Sequence, residues 1–303
     1  MARPKHHIVP VTYLRHFADS TGKLYALNRE DLYRPGIQTV TPGSKMFWSR
    51  NYYATENSEN PQTIEFFFAR DIEPTYNTLI SIISKERPIS DWETKLLFLQ
   101  WLFYAKRRSP LWRILMEDQF NELSSRDNPG IDEETLQLIR NNIAKATKQA
   151  HIDLFLKEPL LRGDMEHFVS NVLAKKWEVL KAPPSHCWWT SDNPGCGVQL
   201  DGPTTIEGSK ANPLWELLDA DSLLYFPLTA EYTLCIFPYE QGRDPKSNLT
   251  NQDIGFRIAD PAEVRWVNYW TACTQHRLII SSTRESLKEI EAIHLNERNG
   301  TNA

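Results

Sequence analysis

Residues 96–110 read Leu96-Leu97-Phe98-Leu99-Gln100-Trp101-Leu102-Phe103-Tyr104-Ala105-Lys106-Arg107-Arg108-Ser109-Pro110. The apolar run Leu96–Ala105, broken only by Gln100, would rise about 15 Å as a helix, half a bilayer core. A helix apolar nearly all round belongs at the centre of a folded body. Ser90 as N-cap with Glu93 at N3 predicts where it starts, and Pro110 where it ends or kinks. Upstream, a helix from Pro61 to about Lys85 carries Glu65, Ala69, Ile72, Tyr76, Leu79 and Ile83 on one stripe. Downstream, Asp132 to about Leu156 reads as a more polar, peripheral helix, and Leu160–Leu180 as a fourth. The middle of the chain, about 61–182, is therefore predicted to be helical.

The flanks read differently. Pro10 suits the first turn of a short helix with Tyr13, Leu14 and Phe17 on one face, ended by Gly22. Lys23–Asn28 alternates as a strand, and Pro35-Gly36 and Pro42-Gly43 are turns. After Pro183-Pro184, Cys187–Thr190 is a strand candidate and 196–220 a long loop. Leu223–Pro227 and Tyr232–Phe237 form an antiparallel pair. Pro261–Thr274 is a helix, Arg277–Ser281 a strand and Arg284–Ile293 a last helix. Strands, then helices, then strands argue an α+β fold. The expected architecture is one α+β domain over 1–303, with sub-regions 1–60, 61–182 and 183–303. The helical middle is inserted against a mixed or antiparallel sheet built from N- and C-terminal strands.

Composition narrows the class. The chain has 303 residues, 41% hydrophobic and 24% charged, as globular proteins do, so disorder and coiled coil are excluded. Its 10 Trp, 11 Tyr and 13 Phe can fill a sizeable core. There is no GxGxxG, no GxxxxGK[ST] and no GxSxG. The start lacks an apolar signal region, and Cys187, Cys196, Cys235 and Cys273 lack CxxC spacing, so a cytoplasmic protein with free thiols is expected. A net charge of −5 argues against a broad nucleic-acid-binding surface but not against a local basic groove.

Four places carry chemistry. His6-His7 precede the Pro10 helix, whose positive end favours a neutral imidazole, fit to be a base or metal ligand; otherwise they are a solvated tail. Glu65 lies on an apolar stripe, where a carboxylate needs a partner or a function, unless the helix start keeps it near solvent. Glu73 lies about 80° off that stripe. Lys106-Arg107-Arg108 and Arg113 can hold a phosphate or carboxylate, or neutralise the helix end. Ser191-Asp192-Asn193-Pro194-Gly195 ends a Trp-rich strand, yet Asp127-Asn128-Pro129-Gly130 repeats four of its residues as a plain turn. Zinc on His186, Cys187 and Cys196 fails on spacing.

These stretches resemble a bacterial and fungal domain-of-unknown-function family with an N-terminal HHxxPxxYLRxF signature. Here it reads His6-His7-Ile8-Val9-Pro10-Val11-Thr12-Tyr13-Leu14-Arg15-His16-Phe17. Its R-[ST]-P-x-x-R element is similar to Arg108–Arg113, its S-D-N-P element to Ser191–Pro194, and its C-terminal part to Pro227-Leu228 and Asn268–Ser281. A Gln expected shortly before the Arg-Ser-Pro is missing, with Ala105 there and Gln100 a turn earlier. The resemblance implies that His7, Arg15, Arg108 and Asp192 share one family-wide pattern.

The side chains suggest a hydrolase of nuclease or phosphodiesterase type. His7, Glu65 and Asp192 would be its catalytic groups, and Arg15, Arg108, Arg113 and Asn193 its binding groups. A divalent metal ion is the cofactor such a set admits, and nucleic acid or a phosphorylated small molecule the partner; no membrane is expected. The alternatives are a small-anion-binding module, with Trp188 or Trp189 stacking on the ligand, and a His7–Asp192 pair that only ties the chain together.

Overall fold

The computed structural model describes residues 5–31, 36–54, 62–125, 132–157, 163, 166, 172, 175–199, 210–212, 222–238 and 253–292. Its N-terminal histidines form a strand, not a tail. Lys5–His7 (β1) pairs antiparallel with Trp48–Arg50 (β4), and Val11–Arg15 (α1) follows with Pro10 at its N-cap. Leu24–Asn28 (β2) and Ile37–Val40 (β3) form the next hairpin. The helix ends at Arg15, well before Gly22, whose φ of +76° belongs to the turn into β2.

The helix expected from Pro61 is interrupted. Thr63–Phe67 (α2) passes through a π turn, Phe68–Ile72, into Glu73–Ile83 (α3). The expected stripe holds from Ile72 onward, where Tyr76, Leu79 and Ile83 are buried. Before the π turn it is out of phase: Ile64 and Phe68 are buried, while Ala69 is exposed and Glu65 half-buried. Each i→i+5 bond takes up one residue more than an α-helical bond, so the face shifts by one position.

Trp92–Arg108 (α4) is the central helix, with Phe98, Trp101, Leu102 and Phe103 all but sealed. Its cap is Asp91, not Ser90; the Asp91 carboxylate accepts the Thr94 N–H at 2.7 Å. Ile89 pairs with Ile254 and keeps the chain extended through Ser90, which moves the first helical turn on by one residue. Pro110 opens Pro110–Ser125 (α5). Glu133–Leu156 (α6) follows, less peripheral than expected, since Ile143, Thr147, His151 and Phe155 are buried.

The predicted fourth helix ends sooner than its periodicity suggests. Gly163, Glu166 and Val172 are helical, but Trp177–Lys181 (β5) is a strand inside a six-stranded sheet. Thr190–Ser191 (β6) is shorter than the Cys187–Thr190 strand expected. The supposed loop 196–220 contains Cys196–Gln199 (β7) and Lys210–Asn212 (β8). Ser222–Pro227 (β9) and Tyr232–Ile236 (β10) pair antiparallel as read, and Gly255–Ile258 (β11) lies parallel to β5. Pro261–Thr274 (α7) matches its prediction, Leu278–Ser281 (β12) nearly so, and the last helix begins as a 3-10 turn, Glu285–Leu287. The Asp127–Gly130 turn lies outside the described residues.

The fold is α+β, with more sheet than expected. The N- and C-terminal strands do share one sheet, in the order β3-β2-β12-β6. A second sheet, β11-β5-β10-β9-β7-β8, is built wholly from the later chain. It is covered on both faces: Val179 and Leu234 join the large cluster around Tyr76 and Trp101, whereas Leu180 and Cys235 pack toward Val264 and Val267 of α7. A strand buried on both sides has no polar face to show, and this made β5 read as helix. Tyr13 joins the sheets, its hydroxyl donating to Pro227 O at 2.6 Å and lying 2.7 Å from Thr190 Oγ1. The Tyr76 hydroxyl donates to Leu228 O, and its ring stacks on Trp101 with centroids 4.4 Å apart. No described helix is long and apolar enough to cross a membrane.

The displaced cap is checked by equilibrium urea unfolding. Asp91→Ala should cost about 1 kcal/mol. Ser90→Ala should stay within about 0.5 kcal/mol of wild type. The reverse order would put the cap back at Ser90.

Candidate functional site

Strand alternation separates the two histidines. In β1, His6 points inward, fully buried, and accepts the Tyr53 N–H on Nδ1 at 2.9 Å. His7 points the other way, with 29% of its side chain exposed. Its orientation comes from the pairing of β1 with β4 and from Glu65, rather than from the end of the five-residue α1. Glu65 Oε1 lies 2.8 Å from His7 Nδ1 and also accepts the His7 peptide N–H at 3.2 Å.

Arg108 organises this cluster from the end of α4. Its side chain is 1% exposed and lies over the Phe68 ring, 4.3 Å from the centroid. Nε donates to His7 O at 2.7 Å, Nη1 to Glu73 Oε1 at 3.1 Å and Nη2 to both Glu65 oxygens at 3.2 Å. Thr12 Oγ1 donates to the other Glu73 oxygen at 2.7 Å, and the Tyr53 hydroxyl to Arg108 O at 3.3 Å. The π turn makes this possible. Eight residues of unbroken α-helix would turn Glu73 about 80° away from Glu65; the extra residue brings both acids to one guanidinium. Burial pushes the Glu65 carboxyl up, but the hydrogen bond from His7 and the charge of Arg108 outweigh it and hold Glu65 below the usual range. An ionised Glu65 only accepts, so His7 Nδ1 carries the proton and Nε2 keeps its lone pair. Nε2 has no partner among the described residues.

A second polar network begins at the next residue. Ser109 Oγ donates to Asp192 O at 3.2 Å. The Asp192 side chain is buried and faces the backbone: Oδ1 accepts N–H groups from His276, Arg277 and Leu278 at 3.0–3.2 Å, and Oδ2 a second contact from Arg277 at 3.0 Å. Burial raises its pKa, against the pull of those N–H groups and of nearby positive charge. Asn193 is buried too, taking Lys106 Nζ at 2.6 Å on Oδ1 and giving Nδ2 to Thr274 O at 2.7 Å. Arg113 donates through Nε to His151 Nδ1 at 3.1 Å and through Nη2 to Tyr52 O at 3.0 Å. Burial, reinforced by the Arg113 charge, holds His151 far below its ordinary pKa, so it is neutral.

The structure thus brings together His7, Glu65 and Arg108 from the sequence reading and adds Glu73, Thr12 and Tyr53. It does not bring His7 to Asp192: they make no contact among the described residues, and the Asp192 oxygens are filled by backbone. Arg108 is spent inside the protein and cannot clamp a ligand phosphate. Arg15 is exposed at the end of α1, away from this cluster's hydrogen bonds. Trp188 is sealed in the core, its Nε1 on Glu231 O, so it cannot stack on a ligand; Trp189 gives its Nε1 to Ser286. His186 contacts Pro184 O, Cys187 approaches Ser281 and Cys196 is buried, so these three form no zinc site. Among the described residues, no group of three His, Cys, Asp or Glu could hold a metal ion. A groove of about 1360 Å³ opens elsewhere, between Pro183–Trp189, α7 and the C-terminal turn, and none of the polar residues above lines it. Pocket size and chemistry disagree here, and we place the site by its chemistry: a polarised, partly exposed imidazole.

The class defined is an α+β protein with a carboxylate-oriented histidine on its N-terminal strand. The chain belongs to the DUF4238 family, described as proteins of unknown function, whose model matches residues 5–285. That span takes in every residue of both networks. No curated protein and no solved structure matches the chain.

Removing the central guanidinium should expose the cluster's dependence on it. Arg108→Met leaves Glu65 and Glu73 facing each other without their cation and should cost about 3–5 kcal/mol in urea unfolding; a loss under about 1 kcal/mol would mean that the acids are held by something else. The lowered pKa of Glu65 means that its contribution is complete above the ordinary glutamate range and is lost as pH falls through the lowered value. Unfolding measured between about pH 3 and pH 7 should therefore show a shallower acid-side decline for Glu65→Gln than for wild type.

Proposed function

We propose that the chain is a hydrolase of the nuclease or phosphodiesterase type, with His7 Nε2 as general base. The observation that carries this reading is the Glu65–His7 contact at 2.8 Å, which fixes the proton on Nδ1 and leaves Nε2 open on a partly exposed ring. In the reaction, Nε2 takes a proton from water as the oxygen attacks phosphorus, and the ester oxygen leaves. Glu65 stabilises the imidazolium that forms, as an oriented carboxylate does in other His-dependent hydrolases. Arg108 is a positioning residue that keeps Glu65 ionised and holds His7 by its carbonyl. Arg15, exposed and without an ion pair among the described residues, is the cation available to a substrate phosphate. Asp192 and Asn193 act on the fold. Nucleic acid and phosphorylated small molecules are the substrate classes to assay.

Purified protein is incubated with DNA, RNA and an activated phosphodiester, with and without divalent metal ions. Wild type should turn over one of them. His7→Ala, checked for native circular dichroism, should lose about 10²–10⁴-fold in rate. Wild-type rates in His7→Ala would refute the base. Ligand-dependent thermal stabilisation with no turnover would favour a binding module instead.

A further inference from the structure

Beside the His7 cluster lie two guanidinium groups that hydrogen-bond no carboxylate among the described residues. Arg113, half-buried on α5, spends Nε on neutral His151 and Nη2 on the Tyr52 carbonyl, and its Cζ lies 3.7 Å from the centre of the Tyr52 ring. His151 gives its other nitrogen to Arg107 O at 2.7 Å, so it brings no negative charge. Arg277, with 33% of its side chain exposed, keeps Nε 3.9 Å from Asp192 Oδ2, beyond hydrogen-bond distance. That Nε is buried without a partner, and so is the Tyr52 hydroxyl. The charges acting on this hydroxyl are those of Arg113, Arg277 and Asp192. Asp192 is the one carboxylate among them, and the N–H groups of His276, Arg277 and Leu278 occupy it.

Buried donors without acceptors are rare in folded proteins and call for an explanation. Here the unmet groups point to one chemistry. A phenol O–H and a guanidinium N–H want acceptors, and Arg113 wants a counter-ion. A ligand that only accepts and carries negative charge meets all three needs; a water molecule supplies no charge. We propose that Tyr52, Arg113 and Arg277 form an oxyanion site that takes a phosphate group, free or carried on a nucleotide. The exposed part of the Arg277 side chain gives it an approach from solvent. The site stands independently of His7 acting as a base. It was hidden in the sequence because Tyr52 follows a β-strand, Arg113 sits on a helix and Arg277 precedes β12, with no common spacing.

The test is thermal unfolding of the full chain against inorganic phosphate, with chloride at matched ionic strength as control and a nucleoside monophosphate as a parallel arm. Wild type should show a saturable, phosphate-specific rise in Tm. Tyr52→Phe, which removes only the unmet hydroxyl, should weaken binding about tenfold, equivalent to about 1.4 kcal/mol. Arg277→Gln should abolish it, and His7→Ala should retain it, which separates this site from the hydrolytic reading. Tighter binding of the monophosphate would assign the site to a nucleotide, and equal binding to free phosphate. The absence of a phosphate-specific shift in folded wild type, or unchanged affinity in Tyr52→Phe, would overturn the proposal even if Arg277→Gln failed to fold.

Discussion

The buried guanidinium of Arg108 is the contact on which the site geometry depends. A cation with 1% of its side chain exposed is tolerable only when its donors and charge are met. Three parts of the chain meet them: the carbonyl of His7 on β1, Glu65 before the π turn and Glu73 after it. Phe68, the first residue of that turn, presents its ring to the same guanidinium. The π turn is the local irregularity that makes the network possible, because an unbroken α-helix would offer Arg108 one glutamate and not two. Such turns are enriched at functional sites, and this one has a visible geometric purpose.

The step from Arg108 to Ser109 joins two polar networks of different character. On one side, carboxylates orient a partly exposed histidine. On the other, Ser109, Asp192 and Asn193 satisfy backbone groups where β6 meets the end of α7 and the start of β12. Asp192 resembles a helix cap more than a catalytic acid, since it gathers three successive peptide N–H groups that have no strand or helix partner there. Tyr53 ties the first network together from behind, through its N–H to His6 and its hydroxyl to Arg108 O.

How much of this the residues disclose depends on whether the signal is local. The central helix, α7, the β9–β10 pair and the pairing of N- with C-terminal strands were legible because their apolar periods and turn residues lie in one stretch. The π turn was visible only as a conflict: the stripe through Tyr76 and Ile83, extended backward, lands on Glu65 and Ala69 in place of Ile64 and Phe68. β5 was unreadable because Val179 and Leu180 are buried on opposite faces. In the site, His7 and Glu65 were found from their types and positions. The inward aim of Arg108 was not, since a cation at a helix end serves the dipole equally well. Glu73 and Arg277 had no local signal; their partners lie 35 and 85 residues away.

Everything proposed for His7 follows from which ring nitrogen carries the proton. That is measured directly by long-range ¹H–¹⁵N correlation on the His7 imidazole at neutral pH, in wild type and in Arg108→Lys. The expected result is the Nδ1–H tautomer in wild type, giving way to a mixture when Lys, which lacks the planar fork, replaces Arg108. A wild-type His7 with its proton on Nε2 would contradict a general base held by Glu65 and, through it, by Arg108.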